Sequence, residues 1–141
     1  MLDTDVLVAA LRSERGASRQ LLVAGLDREF EVLASVPLIL EYEAVLTRPE
    51  HLDASGLTSG EVKELLDALV KVSIPVHLRF LWHPRLKDPA DEMVLATAVN
   101  GAADWLVTFN LRHLAEAARA FGIGVARPCD VWRNIRNHEK K

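Results

Sequence analysis

Acids crowd the opening of this chain. The stretch MLDTDVLVAAL puts Asp3 and Asp5 at the head of an apolar run, where a carboxylate is costly to desolvate unless a partner meets it. Asp5 has an ordinary explanation as the cap of the helix that follows. Asp3, inside a strand-like run, has none. Farther on, DPADEM supplies Asp88 and Asp91. Asp88 precedes a proline, the usual arrangement of an N-cap with proline at the first helical position. Asp91 falls at the centre of a stripe of Val94, Leu95, Ala98 and Ala102 when the segment is wound at about 3.6 residues per turn. An acid there calls for a cation, or for the helix dipole acting on a first-turn carboxylate. Periodicity leaves those two readings level.

LILEYEAVL carries two more acids, Glu41 and Glu43, beside a stripe of Leu38, Ile39, Tyr42, Val45 and Leu46. They flank it on opposite edges, so one of them can face a site shared with Asp91. The wheel does not say which. In VTFN, Thr108 and Asn110 stand where a strand gives way to a turn, and Asn110 has the local preference of an Asx turn. Acids and an amide from several segments, all oxygen donors, suit magnesium or manganese with several waters retained.

The elements that must carry these groups alternate. MLDT reads as the end of a short first strand, followed by helices in VLVAALRSE and ASRQLLVAGLDRE and a strand in FEVLAS. VPLILEYEAVLTR is the next helix, with Pro37 in its first turn and Arg48-Pro49 as its stop. Thr58 and Glu61 open a helix running to Lys71 with a capping-box pattern. VSIPVHL is strand-like, with Pro75 pointing to an edge. A helix in DPADEMVLATAVNGA, a strand in WLVTFN, a helix in LRHLAEAARAFG closed by Gly122 and a strand in IGVARP follow. Residues 127–141 give a terminal helix and basic tail. Such alternation predicts an α/β fold with a mainly parallel sheet between helices. Sites in such folds lie beyond the carboxyl ends of the strands, where Asp3 and Thr108 both fall.

The chain has 141 residues, half of them hydrophobic and 26% charged, which predicts one globular domain over 1–141. No apolar stretch approaches the roughly 18 residues of a membrane helix, and acids interrupt any secretory pattern at the start; a cytoplasmic protein is expected. Its single cysteine, Cys129, excludes an internal disulfide and a cysteine-based zinc site. A net charge of −3 does not advertise stable nucleic-acid binding, though an acidic metal site can coexist with a local arginine patch. His51, His77, His83, His113 and His138 show no zinc-ligand spacing. Phosphate-loop, dinucleotide and serine-elbow motifs are absent. Trp82, Trp105 and Trp132 read as core or interface residues, with Trp82 beside Pro84 a candidate for exposure.

LDTDVLVAAL, LILEYEAVLTRP, DPADEMVLATAV followed by ADWLVTFNLRHL, and IGVARPCDVW occur in an order that resembles the landmarks of the PIN domain, end to end. The nearest variety is the small prokaryotic proteins assigned as toxins of toxin–antitoxin pairs. The resemblance implies a three-layer α/β/α sandwich and a Mg²⁺- or Mn²⁺-dependent endoribonuclease, commonly a homodimer restrained by an antitoxin. It places the first acid on Asp3, the helix glutamate on Glu41, and the third acid on Asp91 with Asp88 as companion. The fourth position falls on Asn110, and Thr108 is the small hydroxyl residue before it. Asp5 stands where asparagine is common, and Asn110 where aspartate is common. Family chains usually carry two or three more residues before the first aspartate, so a short, weakly paired first strand is expected.

Catalysis is thus expected from Asp3, Glu41, Asp91 and Asn110, with Asp3, Asp5, Glu41, Asp88 and Asp91 holding metal. Thr108, Arg12 and Arg112 are candidate substrate contacts, with Arg15 and Arg19 as further cations. Two rivals stand beside this reading. A catalytically weak domain could serve only as an RNA- or protein-binding module. The early D-T-D also resembles the nucleophile motif of haloacid-dehalogenase-type phosphatases, but Val6 and Leu7 follow where glycine and threonine belong.

Overall fold

A computed structural model describes residues 1–79 and 88–139. Trp82 and His83 lie outside the described residues, as do the last two lysines of the basic tail. The chain runs α1 (Thr4–Arg12), α2 (Ala17–Leu26), β1 (Val32–Ala34), α3 (Val36–Leu46), α4 (Pro49–Ser55), α5 (Ser59–Val72), β2 (Ser73–Pro75), α6 (Pro89–Asn100), β3 (Trp105–Val107), α7 (Leu111–Arg119), β4 (Gly124–Ala126) and α8 (Pro128–Glu139). The alternation expected from sequence is present, and the fold is α/β.

Local chemistry accounts for the boundaries. Ser35 caps α3 by accepting from the Leu38 N–H, and Pro37 occupies its first turn. Thr58 and Glu61 form the reciprocal capping box that opens α5. Gly122, at φ +74, takes the left-handed turn after α7 that a residue with a Cβ rarely adopts. The sequence reading left Pro49–Ser55 unassigned; it is a short helix with no buried residue.

Two further expectations need correction. Ala102 does not complete the apolar stripe of α6: it lies past the Gly101 cap, exposed, with φ 50. Asp3, not Asp5, holds the N-cap position of α1, because the helix starts at Thr4 rather than Val6.

Among the described residues all strand pairing is parallel. β1 pairs with β2, Val32 opposite Ser73 and Ala34 opposite Pro75. β3 pairs with β4, Trp105 opposite Gly124 and Val107 opposite Ala126. Helices α3 to α5 make the first crossover and α7 the second, as parallel neighbours require. Pro75 lies on an edge strand, where its missing N–H costs nothing. The short first strand is a single parallel bridge, Leu2 to Val107, framed by Asp3 N–H to Val107 O and Val107 N–H to Met1 O, both 2.9 Å. Among the described residues no ladder joins the two pairs into one sheet. Strands of three residues, with Leu2 bridged to Val107 alone, leave little backbone to carry one.

The core holds the pieces that position the acids. Leu2, Val6 and Leu7 from the start of the chain are buried together with Leu38, Tyr42 and Leu46 of α3 and Leu106 of β3. Each such side chain contributes about 1.5–3 kcal/mol. Val94, Leu95 and Ala98 seat α6 on the same core. The end of α6 approaches the first pair closely: a Cβ on Gly101 would lie 2.8 Å from Val76 Cγ2 and 3.0 Å from Leu33 Cδ1. These contacts fix where the α6 N-terminus, and so Asp91, can be.

Candidate active site

Residues from four segments meet where β3 ends and α1 begins. Asp3 is 8% exposed. Its Oδ1 accepts from the Thr4 N–H at 2.7 Å, and its Oδ2 accepts from the Thr108 hydroxyl at 2.7 Å. Thr108 is fully buried and is itself oriented, since its oxygen accepts from the Asn110 N–H at 2.9 Å. Its single proton goes to Asp3, with Asp5 Oδ2 a more distant 3.4 Å away. Asp5 Oδ2 accepts from the Phe109 N–H at 3.1 Å, whereas Asp5 Oδ1 is buried without a hydrogen-bond partner.

α3 supplies Glu41, half-buried, whose Oε2 accepts from the Thr4 hydroxyl at 2.5 Å. Glu43 is exposed. The adjacent Tyr42, 1% exposed, donates its hydroxyl to the Leu2 carbonyl. Asp91, its side chain 15% exposed, opens toward the start of α7. Asn110 Nδ2 lies 3.3 and 3.4 Å from the two Asp91 oxygens, and His113 Nδ1 lies 3.9 Å from Oδ2. Asn110 is at the N-cap position of α7 but makes no side-chain cap; its amide serves Asp91 instead. Asp88 is exposed and caps α6, accepting from the Ala90 N–H at 2.9 Å.

The electrostatics follow from burial, with no lysine or arginine against these acids among the described residues. Asp3 is pushed up to about 6, first by burial and then by the Asp5 charge, against the Thr108 hydrogen bond. Asp5 is raised by burial, against the Phe109 and Thr108 donors. Asp91 is raised by burial and by Asp88, and lowered by His113 and Asn110. Carboxylates that resist ionisation because they are dry and near one another gain most from an added cation.

The donor set fits a hard divalent ion: every candidate ligand is an oxygen, and one buried oxygen, Asp5 Oδ1, has no hydrogen-bond partner among the described residues. Among the described residues no three His, Cys, Asp or Glu side chains stand close enough together to enclose a metal. Magnesium does not require that, since it is commonly held by one or two carboxylates and keeps its waters.

Among the described residues no arginine pairs with these acids. Arg12 is exposed and donates to His51 Nδ1 at 3.1 Å, Arg112 and Arg15 are exposed, and Arg19 donates its Nε–H to the Ala10 carbonyl. Cys129 is exposed and free. Sequence reasoning passed over Thr4, Tyr42 and His113. A signal existed for His113, which follows Asn110 by three residues and so shares its face of α7. None existed for Thr4 and Tyr42, whose partners are 37 and 40 residues away.

No described helix is long and apolar enough to cross a membrane. Neither a curated protein nor a solved structure matches the chain. The profile of the PIN domain does, over residues 1–112. That span takes in Asp3, Asp5, Glu41, Asp88, Asp91, Thr108 and Asn110 together; the chain belongs to the PIN-domain family, whose members are generally nucleases that use divalent metal ions.

Proposed function

We propose that this protein is a divalent-metal-dependent endoribonuclease whose site is the Asp3–Asp5–Glu41–Asp91–Asn110 cluster. The observation that carries the reading is the gathering of Asp3, Asp5 and Asp91, each with its pKa raised by burial, near the end of β3 with no lysine or arginine among their partners in the described residues. Asp3, Asp5, Glu41 and Asp91 would face the ion, one or two of them directly and the rest through its retained waters, with Asp88 at the rim. When bound, a divalent cation supplies the charge that makes a water acidic near neutral pH and offsets negative charge developing on phosphate oxygens.

The chain's own groups do the rest. Thr108 acts as a positioning residue, holding Asp3 in one rotamer. Asn110 Nδ2 orients the Asp91 carboxylate. Asp91, partly open and with a raised pKa, accepts the proton of the attacking water. Arg12 and Arg112 supply positive charge for the RNA backbone, and an unpaired strand is the easier fit for a narrow acidic cleft.

We take residues 1–141 as one domain, and the two parallel pairs with Leu2 between them as the central layer of a three-layer α/β/α sandwich. A cytoplasmic toxin restrained by an antitoxin and pairing with a second copy is the physiological setting we infer; its support is the ordered set of motifs. The family assignment leaves the phosphatase reading without a basis.

The test is cleavage of a mixed-sequence single-stranded RNA with Mn²⁺, with Mg²⁺ and with EDTA, alongside Asp91→Asn. Metal-dependent cutting that drops at least about a hundredfold in the variant supports the reading. A folded protein that binds RNA without cutting it under any condition replaces it with the binding-module alternative.

A further inference from the structure

We propose that Thr4 is a positioning residue that sets Glu41 and Asp3 relative to each other for metal binding, an inference that rests on the nuclease reading. Thr4 opens α1, where a threonine hydroxyl ordinarily satisfies a nearby backbone group. Here it does not. It is 7% exposed and donates across the molecule to Glu41 Oε2 at 2.5 Å, while its backbone N–H donates to Asp3 Oδ1 at 2.7 Å. One residue therefore holds two carboxylates, one its neighbour and the other 37 positions along the chain.

The chemistry of each partner makes the contact matter. Glu41 is a long side chain at the half-buried edge of α3, and it meets no cation among the described residues. Left alone it would sample several rotamers, and ordering them on metal uptake would cost entropy. A hydrogen bond from the buried hydroxyl to the carboxylate fixes it beforehand. Threonine suits this because its branched Cβ restricts χ1. A second bolt lies beside the first: Tyr42, next to Glu41, donates to the carbonyl of Leu2, next to Asp3. That bolt joins α3 to the first strand without Thr4, so loss of the Thr4 hydroxyl should loosen Glu41 while leaving the fold in place.

The experiment is a calorimetric Mn²⁺ titration of the full chain without RNA, for wild type, Thr4→Val, Thr4→Ser, Glu41→Gln and the Thr4→Val/Glu41→Gln double variant. Thr4→Val should weaken Mn²⁺ binding about tenfold, with a thermal midpoint close to wild type, and Thr4→Ser should recover most of the loss. The double variant should bind no more weakly than Glu41→Gln alone, because the hydroxyl acts through that carboxylate. Unchanged affinity in Thr4→Val, or losses that add in the double variant, overturns the proposal alone. Failure of the wild type to take up Mn²⁺ overturns it together with the metal-site reading.

Discussion

Asn110 Nδ2 sits 3.3 and 3.4 Å from the two oxygens of Asp91, an amide at the start of α7 donating to a carboxylate of α6. The amide does two things at once. It lowers the pKa of Asp91 against the effect of burial, and it ties the start of α7 to the start of α6. Asn110→Asp should therefore split its effects by condition. In EDTA the two carboxylates repel, costing about 1 kcal/mol, or roughly 2–4 °C in Tm for a chain of this size. In saturating Mn²⁺ the extra carboxylate should tighten metal binding. Thermal unfolding in both conditions checks this; a loss of equal size in each would mean that the amide is only structural.

Thr108→Val keeps the shape of the side chain and removes both hydrogen bonds of the hydroxyl, to Asp3 Oδ2 and from the Asn110 N–H. Leaving a buried carboxylate and a backbone N–H short of partners should cost about 1–3 kcal/mol. Urea unfolding at neutral pH measures it. A cost below about 0.5 kcal/mol would show that the contact is incidental.

Asp3 predicts a pH dependence with a definite sign. Its pKa rises from 3.8 to about 6 on folding, so between those values the folded chain holds a proton that the unfolded chain has lost. Stability from this group is then present at low pH and lost as pH rises through about 6. Asp5 and Asp91 shift in the same direction. Comparing wild type with Asp3→Asn in EDTA isolates the contribution. The variant should gain on wild type by an amount on the order of 2–3 kcal/mol between about pH 4 and pH 7, and a difference that does not change with pH would contradict the assigned burial.

Tyr42→Phe tests the bolt between α3 and the first strand. It leaves the ring in the core and the Leu2 carbonyl without its hydroxyl donor, a loss of about 1–3 kcal/mol in a buried setting. Because Glu41 is its neighbour, RNA cleavage should fall as well. Full activity with reduced stability would confine Tyr42 to packing.

Much of this was readable in the residues. Helices α3, α5 and α6 announce themselves through proline in the first turn, a capping box and an apolar stripe, all local signals. Asp3 and Asp91 stand out in the sequence as carboxylates in awkward places, whereas helical spacing leaves Glu41 and Glu43 level and only the family resemblance chooses Glu41. α4 was not legible, since a seven-residue helix with no buried position leaves no hydrophobic period to detect. The cap of α1 was misplaced by two residues because Asp3 and Asp5 are both good caps, and only the packing of Val6 and Leu7 decides between them. What holds the acids in place was illegible for a different reason. Hydroxyls such as Thr4, Thr108 and Tyr42 are common, and their meaning lies in partners brought near by the fold.

The hydrogen bond between Asp3 and Thr108 spans 105 positions, and that separation bears on how the protein is made. A ribosome releases Asp3, Asp5 and Glu41 long before Thr108 and Asn110 exist, so the nascent chain carries the acids without the groups that arrange them. On the ribonuclease reading proposed above, this delays competence until translation has passed Asn110. We predict that chains stalled on the ribosome with residue 100 as the last to emerge neither take up Mn²⁺ nor cut RNA. Cleavage by such a chain would show that the first half of the site suffices.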